Sequence, residues 1–430
     1  MTPVAPIAAQ PMLVLLLQLG VLLGAALLLG RLAVRLGLPA VVGELTAGVL
    51  FGPSLAAHLA PGFSAWLFPH DPAQQHMLDA VGQLGVLLLV AITGLHIDLS
   101  LLRRQGPKAA AVSAGGLIVP LLCGIAVAFV LPATMLGHPG QRGVFALYIG
   151  VALCVSAIPV IAKTLLEMRL LHRDVGQLIM TAAAVDDIAG WFLLSLVSAL
   201  AVTGLHAGQV VISVVSLVAT VVIAATVGRP VVRIALRSAG RTGEPGVSLA
   251  TVVVLVLLAA AGTQALGLEP ILGTLLAGLL IGWSGQLKPA HLGSLRTFVM
   301  AVLAPLFFAT AGLRMDLTAL ADPKVALAAI AVLLVAIGGK FAGAYAGARA
   351  CRLGHWTGLA VGAGLNARGV IEVIVAMVGL RLGILTTASF TVIVLVAIVT
   401  SLMAPPLLRY ATRRIPVTTA DERRERELVG

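Results

Sequence analysis

The sequence predicts an all-α membrane protein of about 13 transmembrane helices, built as two repeats that enter the bilayer from opposite sides. Three observations carry that prediction. Of 430 residues, 60% are hydrophobic and 10% charged, with a mean hydropathy of +1.08. Apolar stretches of bilayer-spanning length recur along the whole chain, and two glycine-marked segments reappear later in the same order. A water-soluble chain of this size needs about a quarter of its residues charged to cover its surface, so that class is excluded.

With about 20 apolar residues needed to cross the hydrocarbon core, the spans fall near 12–29, 39–58, 77–97, 109–131, 143–166, 175–202, 209–236, 247–266, 269–283, 297–313, 325–348, 356–380 and 386–410. No Lys or Arg precedes Arg31, so the first span reads as an anchor and not as a cleaved signal. Cys123, Cys154 and Cys351 sit in or beside apolar runs without paired spacing, and read as small core residues.

The net charge is +11, and its placement excludes nucleic acid as the expected partner. Assigning loops alternately to the two sides gives one face 21 of the 28 basic residues, from Arg31 and Arg35 to the six arginines between Arg409 and Arg426. The other face receives only Arg142, Arg314, Lys324 and Arg381. The positive-inside rule then puts the C-terminus in the cytoplasm and, with an odd number of spans, the N-terminus outside. Residues 411–430 mix arginines with Asp421, Glu422, Glu425 and Glu427, and read as a short solvated cytoplasmic tail.

The segment Gly37-Leu38-Pro39-Ala40-Val41-Val42-Gly43 through Gly48 aligns with Gly267-Leu268-Glu269-Pro270-Ile271-Leu272-Gly273 through Gly278, and Gly52 and Ser54 continue it at Gly282 and Ser284. One span later, Gly94-Leu95-His96-Ile97-Asp98-Leu99 recurs as Gly312-Leu313-Arg314-Met315-Asp316-Leu317. The partners lie an odd number of spans apart, so the halves are inverted. Inverted repeats are an architecture of secondary transporters, with the substrate site near the midplane where the halves meet.

Three basic residues remain inside spans, Lys163, Lys340 and Arg368, together with Asp186, Asp187, Glu372 and Glu44. A charge at mid-bilayer costs about 2.5–3.5 kcal/mol on insertion scales, which makes each a functional candidate with an expected partner. Asp186 and Asp187 stand about half the bilayer into the span that starts at Val175, at about 1.5 Å per residue. Neighbours on a helix point about 100° apart, so one carboxylate can meet a protein cation while the other faces a watery cavity. Lys340 stands at similar depth beside Gly339, Gly343 and Gly347, a stripe that permits close helix approach. An Asp–Lys bridge that merely fixes helix register leaves the second Asp unexplained. Carboxylates in such different surroundings differ in proton affinity, which suits proton exchange. A hard monovalent cation seeks oxygen ligands, which Asp187 supplies when deprotonated.

Two interruptions are expected at mid-depth. Pro159, after Cys154-Val155-Ser156-Ala157-Ile158, removes a backbone donor and frees carbonyls, although taken alone it also fits an ordinary membrane kink. Gly362-Ala363-Gly364-Leu365-Asn366-Ala367-Arg368-Gly369 is a second, oppositely directed break. There Arg368 can neutralise a carbonyl end and Glu372 can partner it one turn on. No strand precedes the Gly-x-Gly, so it is not a nucleotide fingerprint. Lys163 is expected to snorkel to the interface, Glu44 to sit hydrated near a span entrance, and His96, His138 and His172 to be interfacial. Gly20 and Gly24 suit helix packing, including a homodimer contact.

The chain resembles the monovalent cation:proton antiporter superfamily, in particular the sodium/hydrogen exchanger domain of the bacterial branch that includes potassium-efflux relatives. The resemblance runs from Gly43-Glu44-x-x-Ala47-Gly48 and Gly52-Pro53 to Arg368-Gly369-x-x-Glu372, and rests most on Val185-Asp186-Asp187 with Lys340. It implies the sodium/proton antiporter fold, with two crossing broken helices supported by Pro159, Asn366, Arg368 and Glu372. It implies a transmembrane domain over 1–410: a static dimer bundle (12–97 and 247–313), a linker helix (209–236) and a moving core bundle (109–202 and 325–410).

By the same resemblance Asp187 is the cation ligand, Asp186 the partner of Lys340, and Ser156 a further ligand at a segment where relatives usually place more hydroxyls. Asp-Asp in place of Asn-Asp resembles electrogenic members. No dinucleotide-sensing domain follows the last span, unlike ligand-gated potassium-efflux systems. The expected function is sodium/proton antiport across the cell membrane by an elevator motion, with potassium/proton antiport at the same site as the alternative and a passive channel as a remote one. The expected partners are Na+ (or K+ or Li+), protons, the bilayer and a second copy, without an enzymatic activity or a cofactor. An intramembrane aspartyl protease needs its two aspartates on different helices, whereas Asp186 and Asp187 share one turn.

Overall fold

A chain that crosses hydrocarbon must satisfy each backbone amide within the segment itself, and the helix is the local solution open to these apolar runs. The computed structural model describes residues 7–69, 71–95, 99–203, 207–286, 289–418 and 421. His96, Ile97 and Asp98 of the second repeat match, Lys288, and the tail from Glu422 onward lie outside them. In order, the helices are α1 (Ala9–Arg35), α2 (Ala40–Phe51), the short α3 (Ala56–Leu59) and α4 (Pro61–Leu67), α5 (Pro72–Leu95), α6 (Leu99–Val130), α7 (Arg142–Cys154), α8 (Ile158–Glu167) and α9 (Asp174–Thr203). They continue with α10 (Ala207–Ile223), α11 (Arg229–Arg241), α12 (Pro245–Ala265), α13 (Pro270–Trp283), α14 (Pro289–Phe298), α15 (Ala304–Leu313), α16 (Pro323–Ala350), α17 (His355–Leu365), α18 (Val370–Arg381) and α19 (Thr387–Thr412).

Among the described residues, ten helical stretches are long and apolar enough to cross a membrane. The pair α17–α18, bent by 46°, makes an eleventh, and α7 and α13 are shorter apolar helices. A single π turn, Ala224–Gly228, joins α10 to α11, and another, Val299–Leu303, joins α14 to α15. The expected span 39–58 divides into α2 and α3, because the helix stops at Gly52 ahead of Pro53, whose ring cannot continue it.

The inverted repeat is visible as paired packing contacts. Gly37 (φ 77°) and Gly267 (φ 73°) both end a helix in the left-handed region, and each is followed by an equivalent closing bond, Leu38 N to Ala33 O (2.9 Å) and Leu268 N to Thr263 O (3.0 Å). In the helices that follow, a methyl group on Gly48 would stand 1.9 Å from the Ala309 carbonyl oxygen, and one on Gly278 2.3 Å from the Ala91 oxygen. Only glycine fits either contact. The partners are exchanged: α2 of the first half packs on α15 of the second, and α13 of the second on α5 of the first. The halves therefore interlock.

Two packing groups result. One comprises α1, α2, α5, α12, α13 and α15, and the other α6 to α9 with α16 to α19. Segment Ala207–Arg241 runs between them, with α10 against α9 and α11 against α12 and α13. The second group is centred on the α6–α16 pair, where Gly115 and Gly343 each face the other's carbonyl oxygen. Close approach of this kind lets dispersion hold helices together where lipid offers no hydrophobic drive.

Candidate functional site

Both interruptions fall inside this second group. Between α7 and α8 the backbone is extended from Val155 (ψ 146°) to Ala157 (ψ 100°). Pro159 occupies the first turn of α8, where a missing N–H costs nothing because that turn has no acceptor for it. Between α17 and α18 lie Asn366 to Gly369. The two breaks touch directly: Ala157 N donates to Ala367 O (3.2 Å), and Ser156 Oγ donates to Leu365 O (3.0 Å).

α9 presents Asp186 and Asp187 at this crossing, neither with exposed surface. Lys340 of α16, equally buried, places Nζ 2.6 Å from Asp186 Oδ2 and donates also to the Cys154 carbonyl at 2.5 Å. Asp186 accepts two more bonds, from Ser113 Oγ of α6 (2.5 Å) and Ser156 Oγ (2.8 Å). Its acceptor capacity is thus well used. Asp187, equally buried, differs in its partners: both its oxygens lack a hydrogen bond, and the Ile158 amide at the start of α8 faces it without closing one. Where a watery cavity was expected beside Asp187, the side chain is enclosed, with no exposed surface.

The broken helices orient these charges through their ends. The last carbonyls of α7 carry the negative end of a helix dipole, and they receive two cations: Lys340 at Cys154 O, and Arg368 Nη2 at Leu153 O (2.5 Å). The amino end of α8, which carries the positive end, faces the carboxylate of Asp187. Arg368 also donates to Ala336 O (3.0 Å) and Glu372 Oε1 (3.1 Å), and its own carbonyl accepts from Ser401 Oγ. Asn366 is buried with both amide atoms unpartnered.

Asp186, Lys340 and Ser156 thus form one hydrogen-bonded cluster and Arg368 with Glu372 a second, the two meeting at the neighbouring carbonyls of Cys154 and Leu153, with Asp187, Asn366 and Pro159 beside them by their chain positions. The single hydroxyl hydrogen of Ser156 is shared between Asp186 Oδ2 and Leu365 O, so what it offers a cation is an oxygen lone pair. Lys163 of α8 is exposed and lies in electrostatic reach of half-buried Glu44 of α2. A crevice of about 10 Å³, room for about one water, lies between the start of α2 (Pro39, Leu45) and α8, the second break and α19 (Val160, Gly369, Ser401). Cys123, Cys154 and Cys351 are unpaired thiols.

Two contributions were not foreseen from the sequence. Ser113 carries no signal beyond one hydroxyl in an apolar run, 73 residues from its partner. Arg381 at the end of α18 pairs with Glu269 ahead of α13 at 2.7 Å, while the Glu269 amide donates to Ser195 Oγ of α9 (3.2 Å). That cluster joins the two packing groups, and only the charge of Glu269 within the aligned repeat could have flagged it.

The family model described as "Sodium/hydrogen exchanger, transmembrane" matches residues 21–412. The chain belongs to the sodium/hydrogen exchanger family. Among curated relatives of this exchanger, the Na(+)/H(+) antiporter NhaS4 of Synechocystis sp. is 31% identical over 400 residues, covering 92% of this chain and 97% of that protein. The Na(+)/H(+)-K(+) antiporter GerN of Bacillus cereus is 28% identical over 397 residues, covering 91% and 95%. The solved structure of the sodium proton antiporter MjNhaP1 from Methanocaldococcus jannaschii superposes with a TM-score of 0.67 at 14% identity, covering 94% of this chain and 97% of that one. At that identity the likeness is one of fold. The fold it shares is the one expected for this exchanger, and its named relatives are antiporters, which are transporters and not enzymes.

Proposed function

We propose that this exchanger carries out electrogenic sodium/proton antiport, with Asp187 as the group that binds either the cation or the proton. The observation that carries the reading is the contrast between adjacent aspartates: Asp186 holds a lysine and two hydroxyls, whereas Asp187 is buried and unpartnered. A bare buried carboxylate is unfavourable, so it must take up either a proton or a cation. One carboxylate cannot be neutralised by both. Cation arrival beside the Lys340–Asp186 pair also adds positive charge there, which drives a proton from Lys340, so that more than one proton leaves per cation and net charge moves.

Alternating access follows if the group built on α6 and α16 slides against the group built on α2, α5, α13 and α15, with Ala207–Arg241 as the connection. In this reading the static group also forms a homodimer, the C-terminus is cytoplasmic and the N-terminus is outside. Potassium is the second candidate cargo at the same site, favoured by the naming of one relative as a Na(+)/H(+)-K(+) antiporter.

The test is sodium-driven pH change in proteoliposomes, with charge movement recorded on solid-supported membranes. The wild type is expected to release protons on sodium addition and to give a current, and Asp187→Ala to do neither. Full transport by Asp187→Ala refutes the assigned role, and electroneutral exchange by the wild type refutes the charge count.

A further inference from the structure

Asn366 carries the same signature as Asp187: it is fully buried, and neither its amide oxygen nor its amide nitrogen has a hydrogen-bond partner. A side-chain amide has two acceptor sites and two donors, and a group left dry and unpaired calls for an explanation. Support of the break does not supply one. The carbonyls around it are held by Ser156, by the Ala157 amide and by Ser401, and its charge balance comes from Arg368 with Glu372. None of those contacts uses the Asn366 side chain.

Its position is fixed from both sides. Leu365 O accepts from Ser156 Oγ at 3.0 Å, and Ala367 O accepts from Ala157 N at 3.2 Å. Ser156 is in turn bonded to Asp186 at 2.8 Å, and the next amide after Ala157, that of Ile158, faces Asp187. Asn366 therefore enters the crossing from the second repeat between two residues bonded to the first break, the break whose Ser156 holds Asp186 and whose following amide, that of Ile158, faces Asp187.

We propose that the Asn366 side-chain carbonyl is a neutral ligand of the transported cation, completing with Asp187 a site drawn from both repeats. It accepts the Asp187 hydroxyl hydrogen when the proton is carried instead. The proposal deepens the exchange reading above and rests on it. Hard alkali cations are chosen by the number and spacing of oxygen ligands. A neutral oxygen adds a ligand without adding charge, so it leaves the number of protons exchanged per cation unchanged. Removing it weakens cation binding and changes size discrimination, while the carboxylate that exchanges the proton stays in place.

The experiment compares wild type, Asn366→Ala and Asn366→Ser in proteoliposomes, with Li+, Na+ and K+ each titrated against a pH dye. For Asn366→Ala the KM of the preferred cation is expected to rise about tenfold, a change that one good contact accounts for. The relative KM values of the three ions should change, and KM should move by a larger factor than the cation-saturated rate does. Asn366→Ser, which retains an oxygen, should fall between the two, and it supplies the comparison if the alanine variant does not fold. Wild-type KM values and ion order in both variants overturn the proposal, as does a uniform loss of rate with KM unchanged, the mark of a purely structural residue. A wild type that moves protons in response to none of the three ions contradicts the exchange reading itself, and the proposal with it.

Discussion

Lys340 and Asp186 form an ion pair with no exposed surface at either side chain. Desolvating two charges is costly, and their attraction offsets it only if the remaining donors and acceptors are satisfied. Here Ser113, Ser156 and the Cys154 carbonyl supply those bonds. Removing one partner strands the other. Lys340→Ala is therefore expected to cost about 3–5 kcal/mol, read as a lowered melting temperature in detergent, with Asp186→Asn/Lys340→Met recovering most of it. A double variant no more stable than Lys340→Ala would show that the stranded charge is not the source of the loss. The same residues were legible in the sequence because charge in an apolar span stands out. Ser113 was not, since a lone serine is cheap in a membrane helix and its partner lies on another helix.

At the scale of elements, what matters is where helices stop. α7 ends on carbonyls that receive Lys340 and Arg368, and α8 begins on the Ile158 amide that faces Asp187, so a single interruption separates cation from anion. Both breaks could be read from Pro159 and from Gly362, Gly364 and Gly369. Their mutual bonds could not, because local sequence does not say which carbonyl meets which amide across more than 200 residues. The repeat makes a sharper demand. A methyl at Gly48 or at Gly278 meets a backbone oxygen at 1.9 or 2.3 Å, a contact that no side-chain rotation relieves. Gly48→Ala and Gly278→Ala are each expected to destabilise by about 1–3 kcal/mol through overpacking, seen as comparable drops in melting temperature. A loss at one site with none at the other would contradict their equivalence.

Across the whole molecule, two packing groups lie side by side, and the second holds the buried carboxylates. On one side the groups are separated by the crevice between α2 and the second break, and elsewhere they are joined through Arg381, Glu269 and Ser195. The apolar stretches and the inverted order of the repeats made the all-helical membrane fold legible in advance, whereas a division into bundles was implied only by the family resemblance. The exchange of partners between α2–α15 and α13–α5 was not foreseen, because hydropathy gives each helix a lipid face and a protein face without naming its neighbour.

The central claim is that cation and proton compete for Asp187, and it is a claim about equilibrium binding that needs no turnover. Calorimetric titration of the purified exchanger with sodium, in buffers of different ionisation enthalpy, counts the protons released on binding. The account predicts proton release, a Kd that rises as pH falls, and loss of both signals in Asp187→Asn. Sodium binding with no proton released, at an affinity independent of pH, would contradict it.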